Sequence, residues 1–148
     1  MVRGERPIDI LLVEDNPGDV RLTEEAFEEA RVSNEIHAVT RGKEALAYLR
    51  REGNYQNVDR PDIVLLDLNL PGLNGIDVLE TIKDDPELRG IPVIILTSST
   101  AEEDVVQGYE KHANAYLTKP VDADEFVDIA RTIGEFWIQM VELPPRNE

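Results

Sequence analysis

Pro61-Asp62-Ile63-Val64-Leu65-Leu66-Asp67-Leu68-Asn69-Leu70-Pro71-Gly72 is the stretch that decides the fold. Its apolar run, Ile63 to Leu66, is too short for a helix and rich in branched residues, which makes it a strand. No polar alternation interrupts the run, so both faces are buried, as in a parallel sheet covered by helices. Asp67 ends the run and Pro71-Gly72 turns the chain. Open parallel sheets bind ligands beyond the carboxyl ends of their strands. Asp67 therefore stands on a rigid element where such folds do chemistry. The plainer alternative is an aspartate that only caps the next helix, and what the other strands bring to the same edge decides between the two.

Upstream, Ile8 to Val13 reads as a buried strand that ends in Glu14-Asp15-Asn16-Pro17-Gly18-Asp19, so acids again follow a strand's carboxyl end. Pro17 suits the first turn of a helix to about Val32, with Val20, Thr23, Phe27 and Ala30 inward. Glu24, Glu25, Glu28 and Glu29 form its solvated face. Glu35 to Thr40 is a weaker, edge strand. A second helix buries Ala45, Leu46 and Leu49, and an irregular stretch runs from Gly53 to Pro61.

Downstream, Asn74 is placed to cap a helix with Leu79 and Ile82 inward, stopping near Asp84-Asp85-Pro86. Val93 to Leu96 is a fourth strand closed by Thr97-Ser98-Ser99, and a helix follows from about Ala101 to Lys111. Ala115-Tyr116-Leu117 is a fifth strand, closed by Thr118-Lys119-Pro120. A long last helix, from about Asp122 to Glu142, sets Phe126, Ile129, Ile133, Trp137 and Met140 along one side. Strand and helix alternate five times, which defines a doubly wound α/β domain with a five-stranded parallel sheet and five helices.

The 148 residues, 41% hydrophobic, suit one packed domain over 7–142 with short tails and no output domain. No apolar run reaches membrane-spanning length, and the first residues lack a signal-peptide core, so a cytoplasmic location is expected. Without cysteine there is neither a disulfide framework nor a thiolate metal site. The net charge of −16 repels nucleic acid and anionic membranes. Only Lys43, Lys83, Lys111 and Lys119 are lysines, and this acid-rich, lysine-poor surface points to a salt-loving organism, a halophilic archaeon.

Buried strands thus deliver Glu14 and Asp15, then Asp67, Thr97 and Lys119 to one edge. Carboxylates crowded together repel unless a cation sits between them. Oxygen ligands without imidazole or thiolate point to Mg²⁺, which leaves room for a phosphate oxygen. Lys119 and the Thr97 hydroxyl can then hold the other oxygens of a phosphoryl group, with Asp67 as nucleophile.

Val13-Glu14-Asp15-Asn16, Leu66-Asp67-Leu68-Asn69-Leu70-Pro71-Gly72, Leu96-Thr97-Ser98 and Tyr116-Leu117-Thr118-Lys119-Pro120 together resemble the receiver domains of two-component response regulators. Thr97 and Lys119 lie 30 and 52 residues after Asp67, in keeping with that family. The resemblance covers about residues 7 to 142 and implies the flavodoxin-like strand order 2-1-3-4-5. It makes Asp67 the phosphoacceptor served by a sensor histidine kinase. Asp15 becomes a direct Mg²⁺ ligand, with Glu14 nearby through water and the Asn69 carbonyl as a further ligand. Thr97 becomes the switch hydroxyl, Tyr116 the aromatic that moves with it, and Lys119 the phosphate partner, with a cis Lys119–Pro120 bond. The long stretch Gly53 to Arg60, His112-Ala113-Asn114 and the residues after the last helix look like stand-alone regulators that partner phytochrome-type kinases.

The implied function is a phosphorylation-controlled switch that binds an unknown downstream protein, with at most self-phosphorylation and autodephosphorylation as activity. An aspartate-nucleophile phosphatase of similar fold is the alternative, but it needs an acid two residues after the nucleophile, where Asn69 stands. A nucleotide or flavin module needs a phosphate-cradling first loop, and Glu14-Asp15 repels anions. The last helix, apolar on more than one side around Phe136, Trp137 and Ile138, is expected to form a homodimer. The alternative is that residues 53–60 fold over Trp137.

Overall fold

The structure, a computed structural model, describes residues 7–98, 115–120 and 122–142. Five strands, β1 (Ile8–Val13), β2 (Asn34–Val39), β3 (Ile63–Leu66), β4 (Val93–Thr97) and β5 (Ala115–Thr118), form one parallel sheet in the order β2-β1-β3-β4-β5. Around it lie α1 (Pro17–Glu29), α2 (Gly42–Arg50), α3 (Gly75–Asp84) and a C-terminal helix (Ala123–Glu142). This is the doubly wound fold and strand order expected from the sequence. The helix expected from about Ala101 to Lys111 lies outside the described residues.

The central strands are apolar without alternation because each face of the sheet has its own helices. Leu11, Val13, Val64, Leu66, Val93 and Ile95 pack with Leu49, Leu79 and Ile82 of α2 and α3. Ile10, Leu12, Ile63, Leu65, Ile94 and Leu96 pack with Phe27 of α1 and with Phe126 and Ile133 of the C-terminal helix. Each such side chain contributes about 1.5–3 kcal/mol when fully buried. A charge inside either run is correspondingly costly, so the charged groups collect where the runs end. β2, at the edge, alternates half-buried and exposed positions from Asn34 to His37 and ends on the buried Val39.

Two helix starts follow their expected chemistry. Pro17 opens α1 behind an Asn16 cap, and the Asn74 side chain accepts the Asp77 N–H at 3.0 Å to open α3.

Trp137 is buried within its own chain, in the core between α1, the sheet and the C-terminal helix. Its cover is not residues 53–60. Those form a short 3₁₀ turn at Gly53–Tyr55 on the opposite face, where Tyr55 and Val58 pack beside α2 and α3. The physical reason is Gly134: a Cβ there would meet a Val32 methyl at 2.7 Å, so glycine lets the helix close onto the chain after α1. Phe136, by contrast, is exposed. One further expectation is corrected. No peptide among the described residues is cis, so Lys119–Pro120 is trans, the form X–Pro bonds favour by about 0.5–1 kcal/mol.

Candidate functional site

The sheet ladder itself assembles the site. The Asp67 N–H donates to the Val13 carbonyl at 3.0 Å, which sets Asp67 beside the exit of β1. The Lys119 N–H donates to the Thr97 carbonyl at 2.7 Å, which draws the end of β5 to the end of β4. Asn16 accepts the N–H groups of Gly18 (2.8 Å) and Asp19 (3.2 Å), so α1 begins at the same edge. Gly75 opens α3 with its N–H on the Leu68 carbonyl at 3.1 Å. A Cβ at Gly75 would lie 2.6 Å from the Asp67 carbonyl oxygen, so only glycine fits there.

These elements enclose a cleft of about 670 Å³ lined by Glu14, Asp15, Asp19, Asp67, Asn69, Ser98 and Lys119, among others. Glu14 and Asp67 are buried and Asp15 is exposed, and one carboxylate oxygen of each lies within 4.8 Å of the others. The Asp67 carboxylate is oriented at both oxygens. Oδ1 accepts the Asn69 N–H at 3.1 Å and Oδ2 accepts from Lys119 Nζ at 3.1 Å. Glu14 is held likewise, by Lys119 Nζ at 2.7 Å and the Asn16 N–H at 3.1 Å.

The electrostatics follow from burial. Burial pushes the Glu14 carboxyl up to about 7; Asp67 adds to the rise and Lys119 opposes it. Burial alone lowers a lysine, but hydrogen bonds to Asp19 and Glu14 more than reverse this for Lys119, which stays charged above the usual lysine range. Among the described residues, four carboxylates line the cleft and three of them share the Lys119 ammonium, and the excess negative charge favours a further cation. The three side-chain donors gathered here are carboxylate oxygens, which fits a hard divalent metal ion.

Of the residues singled out from the sequence, Glu14, Asp15, Asp67, Asn69 and Lys119 meet in this cleft. Thr97 is adjacent in the chain but only 1% exposed, and Ser98 is the β4 residue that lines the cleft. Tyr116 lies half-buried against the core on the α2 and α3 side. The sequence reading gave no role to Asp19, whose Oδ2 takes a Lys119 proton at 2.8 Å. Its one signal was its place in the first turn after an Asn-Pro-Gly start, which turns it toward the strand ends.

A doubly wound sheet with an aspartate, an acid pair and a lysine at its carboxyl edge is the architecture of a receiver. The chain belongs to that family: residues 10–131 match the response regulator receiver domain. Among its relatives, Response regulator Rcp1 of Synechocystis is 42% identical over 135 residues, covering 91% of this chain and 92% of that protein. The crystal structure of the phosphorylated cyanobacterial phytochrome response regulator RcpA superposes with a TM-score of 0.83 at 45% identity. It covers 94% of this chain and 99% of that one. The Mn²⁺-bound form of Rcp1 gives 0.80 at 42% identity, covering 93% and 99%. This chain is therefore a receiver-domain response regulator, a class that accepts phosphoryl groups from histidine kinases. No helix among the described residues is long and apolar enough to cross a membrane.

Proposed function

We propose that Asp67 is the phosphoacceptor and that the unit spanning residues 7–142 signals through phosphorylation-dependent binding of a downstream protein. The observation that carries this is the Asp67 carboxylate, buried on the end of β3 yet lining the cleft and oriented by Lys119 and the Asn69 N–H. An Asp67 oxygen attacks the phosphorus of a kinase phosphohistidine. The new P–O bond forms as the P–N bond breaks, and the imidazole leaves and takes a proton. Lys119 neutralises charge on the transferred oxygens. Glu14, Asp15, Asp67 and the Asn69 carbonyl hold Mg²⁺, which supplies neutralising charge when bound. Thr97 and Tyr116 form the switch that carries the change outward, and any activity is limited to self-phosphorylation and autodephosphorylation. The likeness to RcpA and Rcp1 favours a phytochrome-type sensor kinase in the cytoplasm as donor.

With Mg²⁺ and acetyl phosphate, the wild type should gain one acid-stable, base-labile phosphoryl group. Asp67→Asn should gain none and Asp15→Asn should gain it slowly. Phosphate on a histidine or serine would overturn the assignment.

Two finer proposals accompany it. The C-terminal helix forms a homodimer through its outer side, where Phe136 is exposed. At 20 residues it runs about 30 Å, longer than the strands it covers. Sedimentation of wild type and Phe136→Glu tests this, and two monomers would exclude it. The charge of −16 suits a salt-rich, halophilic cytoplasm. The melting midpoint should then rise markedly from dilute buffer to molar KCl, and an unchanged midpoint would exclude it.

A further inference from the structure

Lys119 Nζ has three protons to donate, and three carboxylates take them: Glu14 Oε1 at 2.7 Å, Asp19 Oδ2 at 2.8 Å and Asp67 Oδ2 at 3.1 Å. The lysine side chain is only 8% exposed, so these partners stand in place of water. Two of the three, Glu14 and Asp67, also belong to the oxygen trio with Asp15 that fits a divalent ion. Metal and ammonium therefore compete for the same carboxylates. Asp19 alone among the partners of Lys119 stands outside that trio.

Asp19 is also placed independently of the lysine. Its N–H donates to Asn16 Oδ1 at 3.2 Å, and its carbonyl accepts the Thr23 hydroxyl at 2.8 Å. Both contacts belong to the first turns of α1, so they persist whatever Lys119 does. A lysine drawn off Glu14 and Asp67 with no remaining partner leaves a buried charge unpaired, which is strongly unfavourable.

We infer that Asp19 is a positioning residue that retains the Lys119 ammonium while Glu14 and Asp67 turn to a divalent cation, and so eases entry of that cation. The inference rests on the proposed metal-assisted phosphoacceptor site and adds to it a residue outside the ligand set. Without Asp19, Lys119 has Glu14 and Asp67 as its remaining anionic partners among the described residues, and the ion must displace it from both.

The experiment is a double-mutant cycle read by calorimetric titration with Mg²⁺ alone, on wild type, Asp19→Asn, Lys119→Met and the double variant. Asp19→Asn should weaken Mg²⁺ by about tenfold in the wild-type background and by no more than about twofold beside Lys119→Met. Asp19→Glu should restore most of the affinity, and Asp19→Ser, which also lacks the carboxylate, should lose as much as Asp19→Asn; a serine variant that binds like wild type would overturn the inference. Equal losses in the two backgrounds would mean that Asp19 acts through its charge alone, and would overturn the inference. Unchanged affinity in Asp19→Asn would overturn it too. Wild-type binding that is absent, or indifferent to Asp67→Asn, would overturn the metal site itself and the inference with it.

Discussion

At the carboxyl end of β1, Glu14, Asp15, Asp19 and Asp67 gather around Lys119 in a cleft. At the amino end of the same strand, Asp9, Glu35 and Asp59 line a second, smaller cavity with His37 and Tyr48, and Asp62 lies beside them. Both ends are acidic, but their acids differ in setting. Glu14 and Asp67 are buried and share an ammonium, whereas Glu35 and Asp59 are exposed. Asp62 is occupied structurally: its carboxylate accepts the Asp9 N–H at 2.8 Å, and its own N–H donates to the Asp9 carbonyl at 2.7 Å. Acid clusters in one chain thus divide by burial. Where water is excluded, the carboxylates need a cation and can recruit a second one. Where water remains, they add repulsion that solvent absorbs.

The strongest way to break this comparison is Lys119→Met. It removes the positive charge that the buried carboxylates share, and removing one partner of a buried ion pair costs about 3–5 kcal/mol. Urea unfolding without divalent ions should show that loss. Millimolar Mg²⁺ should recover part of it, because an ion bound by the folded state stabilises it by mass action. A loss below about 1 kcal/mol would mean that the carboxyl end is as well hydrated as the amino end.

Gly75→Ala comes next. The added methyl would sit 2.5 Å from the Leu68 Cα and 2.6 Å from the Asp67 carbonyl, both backbone atoms that cannot swing aside. Overpacking of this kind costs about 1–3 kcal/mol, and here it pushes α3 off the strand that carries Asp67. Phosphorylation by acetyl phosphate should slow along with the loss of stability. Gly90→Ala is the matched control, since a methyl there meets nothing within 4 Å. If the two variants unfold alike, the tight packing under Asp67 does not shape the site.

How much of this was legible in the sequence depended on the range of each contact. β1 and β3 were readable to the residue because uninterrupted apolar runs encode burial on both faces, and each ends in an acid. The edge order and the meeting of Glu14, Asp15, Asp67 and Lys119 followed from topology and motif together. Asp19 did not, because its partner lies 100 residues away and its local setting reads as an ordinary helix start. Trp137 was read as inward-facing, as it is, but what covers it was misjudged for a similar reason. An apolar helix end looks unpartnered until Gly134 is seen to admit Val32. The stack of His37 on Tyr48, with centroids 4.7 Å apart, joins β2 to α2, and Tyr55 closes over Tyr48 at 5.1 Å. No periodicity in any one element announces that cluster.

The smallest effect is expected at the amino end, and its sign distinguishes the two ends most sharply. Burial raises the Asp9 carboxyl above its ordinary 3.8; Asp62, Glu35 and Asp59 add to the rise and His37 opposes it. A carboxyl raised in the folded state is harder to ionise there than in the unfolded chain, so its charge destabilises the fold at neutral pH. Below 3.8 both states are protonated and the penalty is gone; it grows as the pH rises through the folded value. Asp9→Asn, neutral throughout, should therefore raise the melting midpoint slightly at pH 7.5, and the gain should shrink as the pH falls toward 4. Molar KCl should remove the part owed to the neighbouring acids and leave the part owed to burial. A variant less stable than wild type at pH 7.5 would show instead that the Asp9 charge is compensated, as the carboxylates around Lys119 are, and the contrast between the two ends would fail.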